Sequence, residues 1–150
     1  MTHAEKAVKY FSSNFNCSQG VFTAFATEHG MDEKTALRLA TCFGGGARNG
    51  EMCGAVSGAL MVLGLLYGHC DSNDLECKRK AYGISKDFMK RFKEKNGSVV
   101  CRELLGYDLS KDENMKVIQE KNLFRTFCPE MVRSAAEILD EMIREMRAEK

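Results

Sequence analysis

The chemistry this chain offers lies in its seven cysteines, no two of which form a CxxC pair. Four of them stand where a helix should begin. Cys17 follows Asn16, Cys53 heads an uncharged glycine-rich run, Cys101 opens CRELLG, and Cys128 precedes Pro129, a residue favoured at the first helical position. Orphan N–H groups and the positive end of the helix dipole stabilise a thiolate at such a place, which lowers the thiol pKa and readies the sulfur as a nucleophile or a ligand for a soft metal. For any single cysteine the plainer reading is a small buried residue; four coincident placements argue for a common purpose. The missing CxxC spacing excludes a zinc ribbon, a thioredoxin motif and the usual ferredoxin run, and the absence of C-x-x-C-H excludes covalent haem. A shared site must therefore be assembled by tertiary packing.

The stretch CFGGGARNGEMCGAVSGALMVLGLLYG, Cys42 to Gly68, is the segment that must hold Cys53 in place. Gly54 and Gly58, spaced by four, strip one stripe of a helix of its side chains and admit either a second backbone or a cofactor. Both are candidate cofactor contacts, with tight helix packing the plainer role for Gly58. GGARNGEM has the glycines of a phosphate loop but carries Glu51 and Met52 where Lys and Ser or Thr are needed, and no strand precedes it. As a helix, Cys53 to Gly68 is about 24 Å long, whereas a membrane span takes about 20 residues, so a buried core helix is expected and no span.

The other candidates have weaker claims. Cys42 precedes the triple glycine, and the turn could bring it to Cys53 as a local redox pair. Cys70 and Cys77 border a charged segment and are expected to be dispensable. His69, beside Cys70, reads as an exposed loop histidine, and His29 as a partner of a helix C-terminus. Glu51 and Glu103 could orient or deprotonate the cysteines near them, or simply cap helices. The basic run Lys78 to Lys95 could dock an acidic redox partner protein. It reads otherwise as a solvated face, and nucleic acid is not expected, since Tyr82, Phe88 and Phe92 point to the core and leave no aromatic for stacking.

The remaining pattern is helical throughout. Ala7, Val8 and Phe11 share one face near the start; Val21, Phe22, Phe25 and Ala26 mark a second helix that stops by Gly30; Asp32 caps a third carrying Ala36, Leu39, Ala40 and Phe43. After Gly68 a long amphipathic segment places Leu75, Tyr82, Phe88, Met89 and Phe92 inward and ends at Gly97. From Pro129, Val132, Ala135, Ala136, Leu139, Met142, Ile143 and Met146 recur at helical spacing, the clearest amphipathic helix of the chain. Residues 106–127 hold one helix near Asn114 to Glu120. No alternating strand and no repeat stands out. The expected fold is all-α: one domain over residues 1–150, a compact bundle of five or more helices around a central Gly-rich apolar helix.

A chain of 150 residues buries enough surface to fold without disulfides. With 22 Lys and Arg against 21 Asp and Glu, the net charge of +1 exerts no global pull toward nucleic acid or an anionic membrane. No segment reads as a signal peptide, so a cytoplasmic protein is expected, in which the cysteines act as thiols, ligands or redox groups rather than structural disulfides.

With these blocks in view, NCSQGVFTAF, FGGGARNGEMCGAVSGALMVLGLLYG, CRELLG and FCPEMV, the chain resembles the C_GCAxxG_C_C family of redox-active proteins over nearly its whole length. The resemblance puts Cys17, Cys53, Cys101 and Cys128 in the four pattern positions and makes Cys53-Gly54-Ala55-Val56-Ser57-Gly58 the central motif. The family label writes glycine before cysteine, whereas here Cys53 precedes Gly54. Cys42, Cys70 and Cys77 fall outside the pattern. A related segment is similar to part of the split-Soret cytochromes, multihaem proteins with an iron–sulfur site, so the resemblance implies redox activity and makes a cluster plausible. Three readings follow. In the first, the four thiolates bind an iron–sulfur cluster or another thiophilic metal and the protein carries electrons. In the second, some of them form a reversible disulfide in a thiol oxidoreductase or sensor. In the third, the chain is a non-catalytic helical interaction module. The first leads, because four separated helix ends can surround a centre while exchange chemistry works with a nearby pair. Whether the protein is an enzyme, and its oligomeric state, are left open.

Overall fold

A computed structural model describes residues 1–149. The chain is all-helical, in the order α1 (His3–Ser12), α2 (Cys17–Ala26), α3 (Glu33–Ala40), α4 (Gly54–Tyr67), α5 (Leu75–Asn96), α6 (Cys101–Leu105), α7 (Asp112–Glu120), α8 (Leu123–Thr126) and α9 (Cys128–Ala148). Among the described residues no strand forms; one antiparallel bridge joins Met52 to Val100.

Local chemistry starts the first helices where the polar residues stand. Thr2 and Glu5 form a reciprocal cap on α1, and Asn16 and Gln19 form another on α2, where Gln19 N–H donates to Asn16 Oδ1 at 2.9 Å and Asn16 N–H to Gln19 Oε1 at 2.9 Å. The same residues reach across to α3. Gln19 Nε2 donates to the Leu37 carbonyl (2.9 Å), Ser18 Oγ to that of Ala40 (2.7 Å) and Asn16 Nδ2 to that of Thr41 (2.8 Å). The orphan carbonyls ending α3 are thus satisfied by the side chains opening α2. This clasp is why Ser18 and Gln19 can be buried, and it brings the glycine loop after α3 beside Cys17.

Burial is continuous along α2 from Ser18 to Ala26, and α1, α3, α4 and α9 all pack on it. Two glycines permit the closest approaches. A Cβ on Gly20 would stand 2.6 Å from the Ala7 carbonyl oxygen of α1, and one on Gly58 would stand 2.9 Å from that of Ser18. The Gly-rich helix α4 is buried from Gly54 to Ala59 apart from Ser57, touches α2, α5 and α9, and reaches the surface at Gly64 and Leu65. Helices α5 and α9 close the other side with Phe88, Phe92, Val132 and Leu139 fully buried, while Arg91 bridges the pair through Glu145 at 2.8 Å.

The apolar residues fall into two clusters. The larger joins α1 to α5 with α9 and includes Cys53, with Cys17 packed on it; the smaller, around α6 and α7, holds Cys101, Leu105, Leu109 and Ile118, with Cys128 packed against it. Phe127 borders both. The four helix-start cysteines are thereby divided two and two across the seam. Residues 106–127 contain α7, as the sequence indicates near Asn114 to Glu120, and also the short α8, whose few residues give no legible periodicity.

Candidate functional site

Each of the four cysteines opens a helix: Cys17 is the first residue of α2, Cys53 the N-cap of α4, Cys101 the first residue of α6 and Cys128 the first of α9, followed by Pro129. The Met52–Val100 bridge seats two of them side by side. Cys53 N–H donates to the Val99 carbonyl at 2.8 Å and Cys101 N–H to the Glu51 carbonyl at 2.6 Å, so two segments far apart in the chain meet at their cysteines. All four line one cavity of about 770 Å³ in the seam between the two apolar clusters. Among the described residues no three His, Cys, Asp or Glu side chains are closed on a single ion position. Two of the thiols belong to the larger apolar cluster and two to the smaller, and the cavity in the seam between the clusters is where they come together.

The backbone before Cys53 forms part of the same wall. Gly45, Gly46, Ala47 and Arg48 have φ of 65°, 64°, 56° and 61°, a left-handed turn in which two residues carry side chains. That conformation costs roughly 1–2 kcal/mol for each non-glycine residue. It carries the Arg48 side chain to the cavity, where Nη1 donates to the Gly44 carbonyl at 3.4 Å. It also turns the Gly45 N–H toward the Cys17 sulfur, which the N–H groups of Ser18 and Gly54 face as well. Gly54 is there for room. A Cβ at that position would collide with Cys17 Sγ. Gly58, the second candidate cofactor contact, does not line the cavity; its open side is occupied by the backbone of α2.

The electrostatics reverse the expectation of low thiol pKa values. Burial raises the Cys17 pKa despite the facing N–H groups, and raises that of Cys53 well above the ordinary thiol, the nearby Cys17 adding to the effect. Burial, then Cys17, lifts Cys101 to about 12, with Arg48 pulling the other way; burial, Cys17 and Cys101 lift Cys128 to about 12. Desolvation outweighs the helix dipole, and four anions in one cavity repel. As free thiols they are protonated at neutral pH. Cys101 and Cys128, ionising at about 12 when folded against 9.0 in the ordinary thiol, hold protons that the unfolded chain releases. The reduced, metal-free protein is therefore indifferent to these two groups below about pH 9 and loses stability as pH rises from there toward about 12. Denaturation midpoints at about pH 8 and about pH 10 should fall with pH, and fall less in the Cys101→Ala/Cys128→Ala double variant; an equal fall would remove the thiols as its source.

The weaker candidates lie elsewhere. Cys42 is exposed in the turn Thr41–Phe43 and does not line the cavity, so the turn does not deliver it to buried Cys53. Cys70 is exposed, and Cys77 donates its thiol to the Tyr67 carbonyl at 3.4 Å. His69 and His29 are exposed and away from the cavity. Glu51 pairs with Arg102 at 3.0 Å and Glu103 accepts from Ser98 Oγ at 2.5 Å, which occupies both carboxylates away from the thiols. Helix α5, bearing the Lys78 to Lys95 run, contributes no residue to the cavity, and its Arg91 and Lys95 are engaged by acids of α9. No helix among the described residues is long and apolar enough to cross a membrane. Much of the cavity lining escaped the sequence reading, including its two cations, Arg48 and Arg125. The signal for Arg48 was its place within the glycine stretch; for Arg125 there was none.

Comparison with curated proteins found no match, and neither did comparison with solved structures. Residues 15–142 match the model of the family described as "Putative redox-active protein (C_GCAxxG_C_C)", a span that takes in all four cavity cysteines, and the chain belongs to that family.

Proposed function

We propose that Cys17, Cys53, Cys101 and Cys128 hold an iron–sulfur cluster or another thiophilic metal centre and that the protein transfers electrons through it. One observation carries this reading: four thiols from four helix starts face a single cavity whose lining includes no Asp, Glu or His among the described residues. A sulfur-only donor set selects soft metals and iron–sulfur clusters over hard cations. When bound, such a centre supplies one-electron exchange.

The chain's own residues would supply the rest. The N–H groups of Gly45, Ser18 and Gly54 face the Cys17 sulfur and draw electron density from it, and Arg48 offsets negative charge near Cys101. Leu105, Leu109 and Phe127 keep the thiol end apolar. In this reading residues 1–150 work as one domain arranged about the start of α4. The raised thiol pKa values weigh against the disulfide-exchange alternative, which needs a thiolate near neutral pH; a metal deprotonates its own ligands. The test is purification without air, followed by metal and sulfide analysis and a visible spectrum. A thiolate-to-metal absorption with stoichiometric metal is expected. Protein that arrives without metal and takes up none when offered iron and sulfide would remove the proposal.

A further inference from the structure

The thiols account for only part of the cavity. At about 770 Å³ it falls within the roughly 300–1,000 Å³ typical of small-molecule sites, whereas a centre held by thiolates at about 2.3 Å fills a fraction of that. The remainder has its own chemistry. The end of α1 brings Asn14 and Phe15, α7 brings Met115 and Gln119, and α8 brings Phe124 and Arg125. Arg125 has no ion-pair partner among the described residues. Asn14, at φ 70° just past the end of α1, and Gln119 are two further polar side chains at the mouth. Phe15 is held edge-on against Tyr10 at 6.0 Å.

We propose that this end of the cavity binds a small aromatic oxyanion, its charged group on Arg125 and its ring between Phe15 and Phe124, beside the thiol-held centre. The placement beside a centre rests on the reading above; the binding itself does not. A guanidinium with no carboxylate partner presents a planar fork matched to carboxylate or phosphate, and the lining contains no acid to repel either. The amides of Asn14 and Gln119 donate to the oxygens the fork leaves free. Aromatic faces favour a flat apolar body.

Benzoate and phenyl phosphate, with neutral benzamide as control, serve as probes in calorimetric titrations of the full chain purified without air, with metal content measured on the same samples. At least one anion binds at concentrations up to about 10 mM and benzamide binds tenfold or more weakly; which anion binds identifies the oxyanion. Arg125→Gln weakens binding tenfold or more, and Arg125→Lys, which keeps the charge but not the fork, falls between; Arg125 is exposed on a short helix, so both variants fold, as circular dichroism checks. Binding of neither anion, benzamide equal to both, or affinity unchanged in Arg125→Gln overturns the proposal. Wild-type protein without metal that still binds an anion through Arg125 refutes the centre and upholds this site. Wild-type protein with metal but no such binding does the reverse.

Discussion

If the four thiols hold the proposed centre, serine in place of Cys101 is expected to remove most of its metal, a loss of about tenfold or more under anaerobic purification, whereas serine in place of Cys42 is expected to leave it. A hydroxyl stays protonated at neutral pH and is a hard donor, so it does not replace a thiolate. The same loss is expected for Cys17→Ser, Cys53→Ser and Cys128→Ser, all on the cavity wall. Cys70→Ser and Cys77→Ser should keep the centre, the first being exposed and the second bonded to the Tyr67 carbonyl. Metal analysis and the visible spectrum read the outcome directly. A centre retained in the Cys101 variant and lost in the Cys42 variant would reassign the ligands to the glycine turn.

Alanine at the two motif glycines should separate packing from site. In Gly58→Ala the new methyl meets backbone, the Ser18 carbonyl oxygen at 2.9 Å and Cα at 3.2 Å, so α2 and α4 must part. Overpacking of this kind costs about 1–3 kcal/mol, read as roughly 2–4 °C of Tm for each kcal/mol. In Gly54→Ala the new methyl meets the Cys17 sulfur and also backbone, the Gly44 Cα at 3.0 Å and the Phe43 carbonyl oxygen at 3.1 Å. A comparable stability loss is expected there, together with a metal loss that Gly58→Ala does not show if the proposed centre is held by Cys17. Gly64→Ala is the control. Nothing lies within 4 Å of its open side, and replacing a glycine inside a helix gains about 0.5–1 kcal/mol. Equal losses of stability and metal in the Gly54 and Gly58 variants would show that the two glycines do the same job.

Much of the fold was legible because its signals are local. The 3.6-residue recurrence of Val132, Leu139 and Ile143 marks α9 since a helix at a core must bury one stripe, and Asn16 with Gln19 marks the start of α2 since orphan N–H groups need acceptors. The glycine helix announced itself by lacking charge. Its burial is uneven, with Leu65 40% exposed, while α2 is covered on every side, which composition did not distinguish because both are apolar and small-residue-rich. The short α8 and the left-handed turn at Gly45 to Arg48 were not legible. The first is too brief for a period, and the second places Ala47 and Arg48 in a conformation their residue types disfavour.

At the candidate site the division runs along the same line. Residue types and neighbours were enough to say that Cys17, Cys53, Cys101 and Cys128 begin helices, because capping and proline placement act within one turn. Sequence also sufficed to exclude CxxC-based sites. Whether the four thiols face one another, and in which protonation state, was decided only by tertiary structure. The Glu51–Cys53 and Val99–Cys101 segments pair through backbone groups that every residue carries, so nothing in their side chains announced the contact. The helix dipole alone favours low thiol pKa values, yet burial and mutual repulsion, which depend on what else packs around the sulfurs, reversed the direction. Local interactions are written in neighbouring residues; desolvation and long-range approach are properties of the assembled cavity.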